Sequence, residues 1–96
     1  MLRVDPDEIW FIEGYGNYVR LWSANSKIIL HNTMKDMETH FQQYPLFLRI
    51  SKSYIVNLKF ISEMSGNCLL VGTESLAIGA TYRDDVRKVL ERYQLM

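Results

Sequence analysis

Alternation of apolar and polar residues in the first third of the chain predicts three consecutive strands. Residues 8–13 form an apolar run that ends at a glycine-rich segment, 14–17, and residues 18–22 then alternate in polarity. Such a pattern favours two half-buried strands joined by a hairpin turn. A second turn signal at residues 24–26 precedes another apolar run at 27–31. We therefore predict an antiparallel meander of three strands.

Helical spacing replaces this alternation after residue 32. Thr33 and Asp36 have the spacing of a capping box that uses aspartate at its fourth position. Apolar residues then recur at intervals of three or four: Met34, Met37 and Phe41. This spacing predicts a short helix over about 33–41. Tyr44-Pro45 ends it, because the residue before a proline is disfavoured in the helical region.

Short strands separated by turns account for most of the remaining chain. Residues 47–58 are mainly β-branched and aromatic around one polar centre, Ser51-Lys52-Ser53, which predicts two strands joined by an exposed bend. Glycine-containing turns then separate three further predicted strands: 60–64, 68–71 and 76–78. The sequence thus predicts a β-rich domain with two short helices.

The last segment predicts an amphipathic helix with a mixed-charge surface. Thr81 and Asp84 repeat the capping pattern ahead of apolar residues at helical spacing: Val86, Val89, Leu90 and Tyr93. Residues 83–92 carry four bases and three acids, so their net charge is only +1. Recognition helices normally carry an excess of bases, and local ion pairs explain this surface better. Arg83 is the exception, because a base in the first turn opposes the helix dipole.

The composition describes one small folded domain. The 96 residues are 48% hydrophobic and 23% charged, with 11 basic and 11 acidic side chains. This balance excludes a disordered tail, and no apolar run approaches the roughly 20 residues that span a bilayer. A chain of this size has one thin core, which disfavours a deep enclosed active site. No repeat or linker is visible, so residues 1–96 are predicted to form a single domain.

Reactive side chains are few and widely spaced. His31, His40 and Cys68 lack zinc-like spacing, and nothing in the pattern surrounds either histidine with a nucleophile and an orienting group. We expect no metal, no cofactor and no enzymatic activity. The single Cys68 allows no internal disulfide and is predicted to be buried in a strand, and the N-terminus lacks a signal-peptide pattern. Both features favour the cytoplasm.

Charges alternate along the chain although they sum to zero. Residues 1–13 have a net charge of −3, whereas residues 14–35 contain three bases and no acid. Two acids follow within 36–38, and residues 39–62 again contain three bases and no acid. The remaining residues sum to −1. Two acid-free basic stretches on one side of a fold would give a local positive potential, which attracts a phosphate backbone. The alternative is that this order of charges arose by chance.

The bend Ser51-Lys52-Ser53 is the strongest candidate for ligand contact. One cation between two hydroxyls suits contacts to phosphates and base edges, and the alternative is an ordinary polar turn. Trp10, Trp22 and the six tyrosines are candidate stacking platforms for single-stranded nucleic acid. Most of them are better explained as core residues, since half-buried strands commonly bury aromatic side chains.

Residues 47–58 resemble the LytTR family, the DNA-binding effector domain of LytR/AlgR/AgrA-type bacterial response regulators. The segment is Phe-Leu-Arg-Ile-Ser-Lys-Ser-Tyr-Ile-Val-Asn-Leu. Residues 9–19 also resemble the opening hairpin of that family, residues 33–38 its short helix, and residues 76–83 its closing strand and tail. The resemblance implies an elongated, mostly β fold of about ten short strands in antiparallel sheets, with one or two short helices.

The resemblance also implies sequence-specific binding of double-stranded DNA through loops that enter two successive major grooves. Carried over residue by residue, the DNA-binding positions are Asn17, Tyr18 and Arg20; Ser51, Lys52 and Ser53; and Ala80, Thr81 and Arg83. Two positions depart from the usual pattern: Ser51 stands where histidine is common, and Gly79-Ala80 where polar or basic residues are common. The third loop is therefore expected to contact DNA weakly, through its backbone or Arg83.

Members of this family usually carry an N-terminal receiver domain, which this chain lacks. We expect an excised effector domain of a two-component response regulator that controls transcription, with a free-standing regulator as the alternative. A module this small is expected to bind paired repeats as a dimer, with no membrane association. The rival hypothesis is a β-rich protein-interaction module that binds a partner through strand edges or the C-terminal helix.

Overall fold

Two antiparallel sheets and two helices form the part of the chain that the structure, a computed structural model, describes, residues 4–93. The elements are β1 (Ile9–Tyr15), β2 (Tyr18–Ser23), β3 (Lys27–His31), α1 (Met34–Phe41), β4 (Phe47–Arg49), β5 (Tyr54–Asn57), β6 (Ile61–Ser65), β7 (Cys68–Val71), β8 (Glu74–Ala77) and α2 (Arg83–Arg92). The first sheet has the order β3-β2-β1-β5-β4, and the second has the order β6-β7-β8. The mostly β class is confirmed, with eight strands in residues 4–93 where the resemblance implies about ten.

The predicted hairpin forms between β1 and β2. Tyr15 pairs with Tyr18 across a two-residue turn, and Gly16 has a φ of 62°. A positive φ is strained for most residues but not for glycine, so Gly16 permits the tight turn. β3 completes the meander, and β5 pairs with the other side of β1. β1 is consequently the central strand of the five-stranded sheet.

The capping pattern correctly predicted the start of α1. The Thr33 hydroxyl accepts a hydrogen bond from the Asp36 backbone N–H at 3.1 Å, which satisfies one of the free donors of the first turn. Met37 and Phe41 are buried beneath the helix, as their spacing predicted. The Phe41 ring lies 4.6 Å, centroid to centroid, from the ring of Phe47. The helix is thereby fixed against β4.

Two apolar clusters form the core. One joins α1 to the five-stranded sheet and contains Ile9, Ile12, Val19, Leu21, Met37, Phe41 and Ile55. The other joins that sheet to the second sheet and α2, and contains Phe11, Ile50, Val56, Leu58, Leu69, Val71, Leu76, Ile78, Val86 and Leu90. Successive strand residues point to opposite faces, so neighbours such as Phe11 and Ile12 enter different clusters. The five-stranded sheet is therefore the middle layer of the domain.

The predicted cap of the C-terminal helix is wrong. Residues Ala80–Tyr82 form a 3-10 turn, and α2 begins at Arg83 with no side-chain capping bond. The Tyr82 N–H donates to the Gly79 carbonyl at 2.9 Å, so a tight turn takes the place of the cap expected at Thr81. Val86 and Leu90 are buried as their spacing predicted.

The bounds of β6 and β8 and the burial of Cys68 also differ from the predictions. β8 spans Glu74–Ala77, where the sequence predicted a strand over 76–78. Phe60 belongs to a 3-10 turn, Leu58–Phe60, which leaves β6 to begin at Ile61. This turn is capped by Asn57, a buried amide that accepts from the Lys59 N–H and donates to the Ile9 carbonyl, each at 3.0 Å. Cys68 is half-buried at the start of β7 instead of fully buried.

The molecule is longer in one direction than in the other two. Its principal extents are 38 × 25 × 23 Å, which agrees with the elongated shape that the resemblance implies. Neither helix within residues 4–93 has the length and apolar character needed to cross a membrane.

Candidate nucleic-acid interface

The three predicted DNA-contacting segments meet at one end of the five-stranded sheet. The hairpin turn after β1 and the bend between β4 and β5 lie side by side, because the Gly14 N–H donates to the Ser53 carbonyl at 2.8 Å. On the other side of the bend, the Gly79 N–H donates to the Ile50 carbonyl, also at 2.8 Å. The bend thus lies between the opening hairpin and the turn that precedes α2. We call this end of the sheet, with residues 14–18, 50–53 and 79–83, the loop face.

Gly79 lies close to its neighbours at one of these junctions. A Cβ atom on Gly79 would lie 3.1 Å from the ring of Tyr82 and 3.4 Å from the Cα and Cβ atoms of Ser51. The distance to Tyr82 is tighter than ordinary packing, whereas the distances to Ser51, in the bend itself, are those of close van der Waals contact. The glycine that departs from the family pattern therefore lets the turn before α2 approach the bend closely.

The bend is folded around its own first serine. The Ser51 hydroxyl accepts from the N–H groups of Ser53 and Tyr54, at 3.1 and 3.0 Å, and Ser51 is half-buried. Lys52 and Ser53 are exposed. Lys52 forms no ion pair with any acid in residues 4–93. Of the three predicted residues of the bend, Ser51 shapes it while Lys52 and Ser53 face solvent.

In the sequence, Arg49 is one charge of a basic stretch. In the structure, its side chain forms hydrogen bonds with the backbone of the bend. Its Nε donates to the Ser51 carbonyl at 2.9 Å, and one terminal nitrogen donates to the Lys52 carbonyl at 2.8 Å. The other terminal nitrogen donates to Glu38 on α1 at 3.0 Å. The side chain is 17% exposed. Its position at the end of β4, two residues before a polar bend, is a signal that was available in the sequence.

The predicted residues of the opening hairpin do not share one environment. Asn17 is exposed in the turn, and its carbonyl accepts from the Asn32 N–H at 3.1 Å. Tyr18 is 48% exposed and its ring contacts His31 edge-on. Arg20 is set back from the turn and forms an ion pair with Glu13 at 2.8 Å. Asn17 and Tyr18 are therefore available to a ligand, whereas the charge of Arg20 is neutralised within the protein.

Glu13 organises the polar network on that face of the sheet. Its carboxylate binds Arg20 and also accepts from the indole N–H of Trp22 at 3.2 Å. Tyr54 lies opposite it on β5. Burial raises the pKa of the Tyr54 phenol above its ordinary value, and the Glu13 carboxylate adds to that shift because it repels the phenolate and accepts a hydrogen bond from the phenol. Tyr54 consequently stays neutral next to the loop face.

The three predicted residues of the third segment are exposed. Ala80 and Thr81 lie in the 3-10 turn, and Arg83 opens α2 with its side chain in solvent. Arg83 has no acid partner within the described part of the chain, whereas Arg87 pairs with Asp84 at 3.4 Å. The ion pair of Arg87 matches the local pairing expected on the surface of α2.

Fewer basic side chains contribute positive charge to the loop face than the two basic stretches suggest. Two of their six bases are neutralised by acids from outside those stretches, Arg20 by Glu13 and Arg49 by Glu38. Lys27 lies at the opposite end of the sheet, 4.0 Å from the Trp22 ring centroid. Within residues 4–93, Lys52 and Arg83 are the predicted contacts whose positive charge has no acid partner.

The aromatic side chains only partly follow the core interpretation. In residues 4–93, no tryptophan or tyrosine is fully buried, but five pack against the core at their edges: Trp10, Trp22, Tyr44, Tyr54 and Tyr82. Tyr15 and Tyr18 flank the hairpin turn and are 67% and 48% exposed. Two large aromatic surfaces are therefore present at the loop face.

Comparison with known proteins identifies the family. The profile of the LytTr DNA-binding domain matches residues 1–91, which is nearly the whole chain. The chain belongs to the LytTR DNA-binding domain family. Among curated proteins, none matches the chain significantly. The LytTR assignment therefore rests on the family profile, and it makes DNA the partner of the domain.

A solved LytTR structure shows the same fold. It is the LytTr DNA-binding domain of a Bacillus cereus protein described as a methyl-accepting/DNA response regulator. The two chains are 17% identical, with a TM-score of 0.75, and the match covers 93% of this chain and 86% of the other. The two sheets and two helices described above are thus the LytTR arrangement.

Proposed function

We propose that this LytTR domain binds double-stranded DNA sequence-specifically through its loop face and controls transcription as the effector domain of a bacterial two-component response regulator. The proposed contacts are Asn17 and Tyr18 from the hairpin, Lys52 and Ser53 from the bend, and Ala80, Thr81 and Arg83 from the turn before α2. Ser51, within this surface, and Arg20, beside it, are included mainly as residues that shape it. No enzymatic activity and no cofactor are part of the proposal.

One observation carries the proposal furthest. The backbone bonds of Gly14 and Gly79 to the bend join three segments that are far apart in sequence into one continuous surface. Lys52 lies at its centre, exposed and without an acid partner in residues 4–93. An unpaired cation among hydroxyls, amides and exposed tyrosines supplies both phosphate contacts and base-edge contacts.

The proposed mechanism combines phosphate contacts with contacts to base edges. Lysine and arginine at the loop face position the domain on phosphates, and a few side chains contact base edges in the major groove. Because one small module buries limited surface, two copies on paired repeats would supply useful affinity, with a receiver domain holding them together in the cytoplasm. The dimer and the receiver domain are part of this proposal.

The test is selection of bound duplexes from a random pool, followed by titration of the enriched duplex across salt concentrations. We expect enrichment of a repeated sequence and a logarithmic salt slope of about −0.9 for each phosphate contacted. A folded domain that enriches no duplex, or that binds a protein partner with little salt dependence, would favour the protein-interaction hypothesis instead.

A further inference from the structure

The Arg49 side chain joins three parts of the chain behind the bend. Its guanidinium donates to two successive carbonyls, those of Ser51 and Lys52, and to the Glu38 carboxylate of α1. The three distances lie between 2.8 and 3.0 Å. A planar guanidinium presents its donors in a fixed fork, so these acceptors define the orientation of the bend relative to β4.

We propose that Arg49 is a positioning residue that holds the bend in its DNA-binding conformation, an inference that rests on the proposed function. Carbonyl oxygens of the bend that turned outward would repel a phosphate, since their partial charge is negative. Arg49 holds the carbonyls of Ser51 and Lys52 on its own side and leaves the Lys52 side chain in solvent. Arg49 thereby favours DNA contact without touching DNA.

Glu38 has a lesser part in the same arrangement. Its side chain is 45% exposed, so solvent screens its attraction to Arg49. It nevertheless connects the bend to α1, whose buried face fixes the helix on the sheet. Loss of the Glu38 carboxylate leaves both carbonyl bonds of Arg49 in place. We therefore expect Glu38→Ala to have a smaller effect than Arg49→Gln.

The first experiment uses the free domain. Proton–nitrogen NMR spectra of wild type, Arg49→Gln and the control Arg87→Gln report the backbone amides directly. Arg87→Gln removes the same charge from another ion pair, on the surface of α2. We expect the amide signals of Lys52, Ser53 and Tyr54 to shift and broaden in Arg49→Gln. The same signals should change little in Arg87→Gln. Unchanged bend amides in Arg49→Gln would overturn the proposal.

The second experiment measures discrimination, the ratio of dissociation constants for a scrambled and a selected duplex. Because Arg49→Gln removes charged hydrogen bonds, we expect it to lower discrimination by about 10- to 100-fold. The salt slope on the scrambled duplex should stay unchanged. Equal weakening on both duplexes with a slope reduced by about one would make Arg49 a phosphate contact and overturn the positioning role.

A double-mutant cycle with Lys52→Ala separates positioning from general stability. If Arg49 acts through the bend, Lys52→Ala should cost much less discrimination in the Arg49→Gln background than in wild type. Independent, additive losses would contradict the proposal. Should Arg49→Gln fail to fold, Arg49→Lys takes its place, because one ammonium keeps the charge but does not reproduce the fork. Full discrimination in Arg49→Lys would overturn the role of the fork.

Failure of the proposed function is recognisable separately. If wild type selects no duplex, DNA binding fails, and the spectra of the free domain still determine whether Arg49 holds the bend. If wild type selects a duplex and Arg49→Gln retains its discrimination, DNA binding stands and the positioning role of Arg49 fails.

Discussion

At the scale of single residues, the bend separates side chains that build it from side chains that face outward. The side chains of Arg49 and Ser51 form hydrogen bonds with the backbone of residues 51–54. Lys52 and Ser53 are exposed and lie between these anchored backbone groups. The motif Ser-Lys-Ser, which looks symmetric in sequence, therefore has an inward first residue and an outward second and third.

Lys52→Ala is expected to lower the affinity for the selected duplex by about 1 to 3 kcal/mol if the lysine contacts a base. Titration of selected and scrambled duplexes at several salt concentrations measures this loss. A similar loss on both duplexes with a shallower salt slope would make Lys52 a phosphate contact. Lys59→Ala is the matched control, because Lys59 is exposed beyond the far end of β5. Unchanged binding in Lys52→Ala would remove Lys52 from the interface.

Tyr54 gives the domain a pH dependence in the alkaline range. Its pKa is raised in the folded protein by burial and by Glu13, so the folded state holds the phenol proton more tightly than the unfolded chain. The stability that this adds is complete below the unfolded pKa of about 10 and is lost as pH rises through the folded pKa. Denaturant unfolding of wild type and Tyr54→Phe between pH 8 and about 11 measures it. An identical pH dependence in both proteins would contradict the assignment.

At the scale of elements, the strands and helices followed from pattern, whereas the 3-10 turns before β6 and α2 did not. Alternation predicted the meander of β1, β2 and β3, and the Thr33 cap predicted α1, because these signals depend on neighbours in sequence. The cap expected at Thr81 does not form because residues 79–82 fold into a tight turn, in which the Tyr82 N–H donates to the Gly79 carbonyl. That turn depends on packing against the bend, some 30 residues away in sequence.

Gly72 in the turn between β7 and β8 illustrates a packing requirement that spacing does not reveal. Its φ is 61°, and a Cβ atom there would overlap the ring of Trp10 on β1. We expect Gly72→Ala to destabilise the domain by about 2 to 4 kcal/mol, from backbone strain and overpacking together. Thermal or urea unfolding measures the change.

Gly66→Ala is the matched control for that prediction. Gly66 has a similar φ of 58°, but nothing lies within 4 Å of an added Cβ. Only backbone strain remains, so a loss of about 1 to 2 kcal/mol is expected. Equal losses in the two variants would show that the contact of Gly72 with Trp10 contributes nothing.

At the scale of the whole molecule, the antiparallel order of the sheet creates the loop face. β1 and β5 are neighbours that run in opposite directions, so the end of β1 lies beside the start of β5. The hairpin and the bend meet there for that reason. The resemblance predicted three DNA-contacting segments, and the fold brings those segments together. The ion pairs of Arg20 and Arg49 were not predictable from sequence windows, because their partners come from a facing strand and from α1.

Paired binding belongs to the same scale. Two domains on one face of a duplex require site centres separated by whole helical turns of about 10 base pairs. If the proposed receiver domain holds two copies together, a protein that carries both domains is expected to bind a duplex with two selected sites cooperatively. An insertion of about five base pairs should abolish that cooperativity. Gel-shift titrations of the two duplexes measure the difference. Equal cooperativity on both would contradict a dimer of fixed geometry.

The loop face is tested most directly by titrating the nitrogen-labelled domain with its selected duplex and following the backbone amides by NMR. We predict the largest shifts at residues 16–18, 51–53 and 79–83, with little change at residues 24–26 and 58–60 at the opposite end of the sheet. Shifts concentrated on the exposed side of α2, around Arg87 and Lys88, or at that opposite end would contradict DNA binding through the loop face.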